Sequence, residues 1–159
     1  MPPRFIADVN VGKLAKWLRI AGYDVLLLKD ASDTNLVNVA LRQKRILLTR
    51  DRAILNRRVV ANGSLNVVLV ESESPAEQLR QVMTTLDPTT QPPTLSRCIR
   101  CNESLVEKSR EEIAGLVPPF VLRTQECYMQ CPACSRIYWR GTHWERMKRR
   151  LEELRTASH

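Results

Sequence analysis

Two Cys-x2-Cys pairs, Cys98-Ile-Arg-Cys101 and Cys131-Pro-Ala-Cys134, constrain this chain more than any other feature. In such a pair two thiolates grip one ion from a tight turn whose backbone N–H groups face the sulfurs. Two such turns complete a tetrahedral site with Zn–S distances of about 2.3 Å. A single pair would be ambiguous with redox chemistry. Two in tandem, each followed by polar turn residues, predict a four-cysteine zinc ribbon with structural zinc on Cys98, Cys101, Cys131 and Cys134. The opening residues, Met-Pro-Pro-Arg-Phe-Ile-Ala-Asp, hold no apolar run of the kind that leads secretion. A disulfide framework is therefore not expected, and a cytoplasmic location is. The fifth cysteine, Cys127, lies in the alternating stretch Glu126 to Gln130 and reads as a buried strand residue.

Ahead of this module the pattern alternates strand and helix. Phe5-Ile6-Ala7 leads to Asp8; Leu14, Trp17, Leu18 and Ala21 then recur at helical spacing, with Gly22 as the stop. Asp24 to Leu28 is a second strand, and Asp33 reads as the N-cap of a helix carrying Leu36, Val37, Ala40 and Leu41. Ile46 to Thr49 is a third strand, followed after Asp51 by a helix with Ile54 and Leu55 inward. Asn66 to Val70 is a fourth, and Ser74-Pro75-Ala76-Glu77 opens a helix reaching about Leu86. Apolar strands alternating with helices predict an α/β fold, a parallel sheet flanked by helices on both faces. Residues 1–87 form this domain. Residues 88–94, rich in proline, form a linker. Residues 95–159 form the ribbon and a final helix opened by Thr142-His143-Trp144-Glu145. On that helix Trp144, Met147, Leu151 and Leu154 share one side, and Arg146, Lys148, Arg149, Arg150 and Arg155 occupy other positions.

Charge narrows the partners. Twenty-five Lys and Arg against seventeen Asp and Glu give +8. A basic chain of this size suggests a polyanion, most commonly nucleic acid, although a basic solvated surface without a ligand gives the same balance. No apolar run approaches the roughly 20 residues that a membrane helix needs, so no membrane partner is expected.

In an open parallel sheet, ligands bind beyond the carboxyl ends of the strands. Asp8, Asp33 and Asp51 come from three consecutive strand-to-helix junctions and so face one rim. Grouped carboxylates repel one another unless a cation neutralises them, and oxygen-only ligands suit Mg²⁺ or Mn²⁺. The competing reading is that Asp33 and Asp51 are only helix caps. No phosphate-binding glycine loop is present, because Asn10-Val11-Gly12-Lys13 lacks the required spacing. With only His143 and His159 as imidazoles and four thiols committed to metal, a Ser or Cys nucleophile is poorly supported.

Several of these stretches resemble the Mut-seven C-terminal RNase domain family. They are Asp8 with Gly12 through Arg19, Ala21 to Asp24, Ser32-Asp33 before Leu36, and Arg45 through Arg52. In the ribbon they are Arg97-Cys98 to Cys101-Asn102, Cys131-Pro132 to Cys134, and Tyr138 through Trp144. The resemblance implies a PIN-like nuclease sheet fused to a zinc ribbon, with Asp8, Asp33 and Asp51 holding Mg²⁺ or Mn²⁺ for endonucleolytic cleavage of RNA, such as tRNA or another structured RNA. It departs at Thr34 and Asn35, where the family often has acidic residues, and at Asn10-Val11; Asp30 is the nearby candidate for a fourth acid.

Arg50 and Arg52 flank Asp51 and are candidates for holding phosphates, as are Lys13, Arg140 and Arg149; Arg50 and Arg52 equally suit a role balancing the acidic rim. Lys13, Lys16 and Arg19 read as a solvated helix face. At most one of Tyr138 and Trp139 faces inward, leaving the other to stack on a base. The alternative to a nuclease is a non-catalytic RNA-binding or ribonucleoprotein-docking module. Oligomeric state is not legible from the sequence.

Overall fold

The computed structural model describes residues 1–156, with side chains described to Leu154; Arg155, as a side chain, and His159 lie outside that range. The chain runs β1 (Phe5–Ala7), α1 (Gly12–Ile20), β2 (Val25–Leu27), α2 (Asp33–Gln43), β3 (Ile46–Thr49), α3 (Arg58–Ala61), β4 (Val67–Leu69) and α4 (Pro75–Thr84). The four strands form one parallel sheet in the order β2-β1-β3-β4. Apart from Thr49 at the end of β3, the strands are apolar throughout because both faces are covered. Successive side chains point to opposite faces, so Phe5 and Ala7 enter one core while Ile6 enters the other. The first core receives α1 and α4, and the second receives α2 with Ile54.

Helix α1 stops as expected. Gly22 adopts φ 98°, and the N–H groups of Gly22 and Tyr23 bond back to the carbonyls of Arg19 and Leu18. Gly22 is also where the proline-rich segment lies down: a Cβ there would sit 2.1 Å from the Pro93 carbonyl oxygen. That segment contains one 3-10 turn, Pro88–Thr90, capped by Asp87.

Beyond it, β5 (Val106–Lys108), β6 (Tyr128–Gln130) and β7 (Ile137–Trp139) form an antiparallel sheet in that order, with α5 (Arg110–Ile113) and α6 (Pro119–Thr124) inserted between β5 and β6. The two helices and the turn between them bury Ile113, Val117 and Val121 against Tyr128 in a small third core. Helix α7 (Thr142–Thr156) then returns to the parallel sheet. Its buried Trp144, Leu151 and Leu154, with Leu95, belong to the same core as α1 and α4.

Local expectations fail in a few places for identifiable reasons. Ser32, not Asp33, caps α2, because the extended Ser32 aims its hydroxyl at the Asn35 N–H (3.1 Å). After Asp51 the chain makes a 3-10 turn, Arg52–Asn56, which buries Ile54 but leaves Leu55 exposed. Its three-residue period cannot place consecutive residues on one face. The Glu145 N–H bonds to the Gly141 carbonyl, so Thr142 is the first helical residue and not the cap. Cys127 is exposed, since β6 begins one residue after it. Arg19 is buried, for a reason that belongs to the cysteine turns.

Candidate functional site

The chain leaves β1 toward β2 on one side and returns past it to β3 on the other, so the crevice beyond β1 and β3 is the switch point of the sheet. Asp8 follows β1 directly, and its N–H bonds to the Leu48 carbonyl at 2.9 Å, continuing the parallel ladder. Asp51 lies two residues beyond β3. Between them stands the buried Thr49, whose hydroxyl donates to Asp8 Oδ2 (3.0 Å) and accepts from the Asp51 N–H (3.0 Å). Asn10 makes a second stitch: its amide donates to Asp8 Oδ2 (3.4 Å) and its Oδ1 accepts from the Arg50 N–H (3.4 Å).

Each aspartate also caps the turn it opens. Asp8 Oδ1 accepts from the Val9 N–H at 2.8 Å, and Asp51 Oδ1 accepts from the Ala53 N–H at 2.9 Å. In both residues the cap uses one oxygen. Asp8 Oδ2 faces Thr49 and Asn10, and Asp51 Oδ2 accepts no hydrogen bond among the described residues. Asp33, the exposed first residue of α2, follows β2 on the same rim, and its carboxylate is not used as a cap. Asp30 is exposed in the same connection at φ 59°. Among the described residues, the three aspartates do not have carboxylate oxygens all within 4.8 Å of one another.

A groove of about 550 Å³ opens next to the turn that follows Asp8, lined by Val9, Asn10, Lys13, Lys16, Lys29 and Glu73 but by none of the three aspartates. Arg50 pairs with Glu73 at 3.6 Å, both on the surface. Arg52 is exposed at the start of its turn, while Arg140, between β7 and α7, and Arg149, on α7, are exposed away from the groove lining.

The four cysteines of the two pairs converge, with all four sulfurs within 4.8 Å of one another. The two turns are built alike. Cys98 N–H bonds to Glu103 O and Asn102 N–H to Cys98 O; Cys131 N–H bonds to Arg136 O and Ser135 N–H to Cys131 O. In both, the residue after the second cysteine is left-handed, Asn102 and Ser135 at φ 65°. The Cys98 and Cys134 sulfurs are 3.7 Å apart, against the edge of about 3.8 Å that a tetrahedron of Zn–S bonds near 2.3 Å requires.

Burial raises the Cys98 thiol, yet its value settles at about 7 because the Tyr138 hydroxyl and the Cys101 and Arg100 N–H groups stabilise the thiolate. Cys101 is pushed up to about 12 by its hydrogen bond to Cys134, by burial and by the neighbouring sulfurs. Burial also raises Cys131. Four thiols this close resist joint ionisation unless a cation sits among them, which is the chemistry of a metal-binding donor set.

Tyr138 is committed to this cluster. Its hydroxyl lies 3.2 Å from Cys98 Sγ and accepts from the Ile99 N–H at 3.1 Å. Trp139 packs against the third core, so both aromatics are partly buried and neither stands free as the strand alternation suggested. The turn is in turn docked on the parallel sheet. Arg19 donates to the Val25 carbonyl (Nε 3.0 Å, Nη2 2.8 Å) and to the Ile99 carbonyl (2.8 Å), which is why it is buried and not on a solvated face. Sequence reasoning had no signal for the contact roles of Thr49, Arg19 and Asn102. Each depends on a partner brought close only by the fold.

A family model described as Mut7-C RNAse domain matches residues 3–151 of the chain. No curated protein and no solved structure matches it.

Proposed function

The chain belongs to the Mut7-C RNAse domain family, and from that membership we propose that it is a divalent-metal-dependent endoribonuclease whose acidic site lies at the switch point of the parallel sheet. The observation that carries this reading is the Asp8–Thr49–Asp51 bridge. Residues needed only as caps require no tie between them, yet here a buried hydroxyl ties the Asp8 carboxylate to the backbone N–H of Asp51. Their remaining oxygens, with Asp33 on the same rim, are hard donors of the type that Mg²⁺ or Mn²⁺ prefers. Bound there, such an ion supplies an activated water and charge stabilisation for the leaving oxygen of a phosphodiester.

The protein's own contribution is positioning. Thr49 and Asn10 hold Asp8 so that its carboxylate need not reorganise when substrate arrives. Lys13, beside the groove, and Arg50 and Arg52, flanking Asp51, receive backbone phosphates of RNA; Arg50 is released from Glu73 as it does so. Arg140 and Arg149 extend the basic surface along the C-terminal part, so binding falls with rising salt. The substrate is a structured RNA, of which tRNA is one example, and the protein acts in the cytoplasm. The four cysteines hold structural zinc.

The test is cleavage of a mixed pool of structured RNA with Mn²⁺, comparing wild type with Asp51→Asn. Wild-type cleavage that disappears in the variant, at unchanged fold and zinc content, supports the nuclease. RNA binding without cleavage by either protein, under any divalent ion, reduces Asp8 and Asp51 to caps and leaves an RNA-binding module.

A further inference from the structure

Strand β2 is an edge of the parallel sheet: β1 pairs with one side of it, and among the described residues no strand pairs with the other. An edge of this kind presents unpaired N–H and C=O groups and is ordinarily protected by some device. Here the device is the first cysteine turn. The Val25 N–H donates to Asn102 Oδ1 at 2.9 Å, and the Val25 carbonyl accepts twice from Arg19. Arg19 spans the junction, because its remaining nitrogen donates to the carbonyls of Ile99 (2.8 Å) and Arg100 (3.3 Å), the two residues between Cys98 and Cys101. Asn102 completes the clasp by donating to Asp24 Oδ1 at 2.7 Å. Asp24 also takes Arg45 at 2.8 Å and Arg97 at 3.9 Å.

Every acceptor that Arg19 finds on the cysteine side is a backbone carbonyl inside the Cys98–Cys101 turn. The conformation that presents them is fixed by sulfurs converging on one point, and Asn102 takes its left-handed φ in the same turn. If the sulfurs separate, the carbonyls and the Asn102 amide move with them. The guanidinium, buried beneath, then loses partners it cannot replace with water at no cost.

We propose that the Cys98–Asn102 turn is a metal-held latch on the free edge of β2, so that metal occupancy of the four-cysteine cluster sets the local stability of β2 and α1. Arg19 and Asn102 are the two side chains through which that occupancy is felt. This rests on the reading that the cysteines hold zinc. It assigns to that zinc a role in the parallel sheet in addition to the antiparallel sheet whose turns it closes. The connection reaches toward the acidic site, since α1 begins at Gly12, directly after the turn that Asp8 caps.

The experiment is residue-resolved amide hydrogen exchange on the full chain, with Mg²⁺ present throughout, before and after a zinc-selective chelator. Zinc content is measured on the same samples. Chelation is expected to speed exchange at Val25 by about tenfold or more while the central-strand amide of Leu47, bonded to Asn66, keeps its protection. Asn102→Gly keeps the left-handed turn and removes the amide. The zinc-loaded variant is expected to exchange at Val25 as fast as the chelated wild type, with its zinc retained. Unchanged Val25 protection after complete zinc loss overturns the latch, as does equal loss of protection at Val25 and Leu47, which reports global unfolding. A chain that takes up no zinc overturns the metal assignment as well, and the zinc measurement tells the two failures apart.

Discussion

The Thr49 hydroxyl lies 3.0 Å from Asp8 Oδ2 and 3.0 Å from the backbone nitrogen of Asp51, giving to the first and taking from the second. Thr49 is fully buried, whereas Asp8 and Asp51 are partly exposed, so water cannot reach the Thr49 side of either bond. Thr49→Val preserves shape but leaves the Asp51 N–H without its acceptor and Asp8 Oδ2 with only the longer contact from Asn10, so it is expected to lower unfolding free energy by about 1–2 kcal/mol. Divalent-dependent RNA cleavage should fall further than stability does, and Thr49→Ser should recover both. Urea unfolding and cleavage assays on the three proteins check this; a Val variant with wild-type cleavage would show that the bridge is dispensable.

Gly22 is predicted to be the least replaceable glycine. Its φ of 98° is strained for an L-residue, and an added Cβ would stand 2.1 Å from the Pro93 carbonyl, a backbone atom that cannot swing away. Gly22→Ala should therefore cost about 2 kcal/mol or more, against a change well below that for Gly63→Ala, whose φ is also positive but whose Cβ would meet open space. Matched urea midpoints would show the added cost of the clash to be absent.

How much of this was legible in the sequence follows from how local each signal is. The strands were legible because both faces of the sheet are buried, so Phe5-Ile6-Ala7 and Ile46-Leu47-Leu48 read as apolar runs whichever way they face. The cysteine cluster was legible because each half of it is a four-residue pattern. Arg19 was not: helical periodicity put it beside Lys13 and Lys16, and only the arrival of Ile99 and Arg100 from far along the chain buries it. Thr49 gives no signal as a site residue, because its role depends on the parallel register that sets Asp8 beside Leu48. The helices α5 and α6 are four and six residues long, too short for an apolar period to emerge. Cys127 was misplaced by extending an alternation one residue past the start of β6.

Asp24 gives the protein an acid-sensitive clasp. Burial raises its carboxyl, but hydrogen bonds from Arg45 and Asn102, with the charges of Arg45 and Arg97, outweigh burial and hold it below the ordinary 3.8. The unfolded chain therefore binds this proton first as pH drops. The stabilisation is fully present above the unfolded value and is lost as pH falls through the folded one. Asp24→Asn should lower stability at neutral pH and make the urea midpoint less steeply dependent on pH below about 4. The slope that remains comes from groups such as Asp87 and Glu112, which are also lowered. An unchanged slope would show that the clasp does not titrate in that window.

Thiol reactivity should divide the five cysteines one against four. Cys127 is exposed and lies outside the cluster, whereas Cys98, Cys101, Cys131 and Cys134 point their sulfurs at a common centre. A zinc-bound thiolate reacts with a disulfide reagent only as fast as the metal site opens, while a free exposed thiol reacts at once. The zinc-loaded chain is expected to release one rapid equivalent from an aromatic disulfide, and the chelated chain five. Cys127→Ser should abolish the rapid phase and leave zinc content unchanged. Two or more rapid equivalents from a fully zinc-loaded chain would mean that at least one of the four paired cysteines is not a ligand. The cluster would then need a different donor in its place.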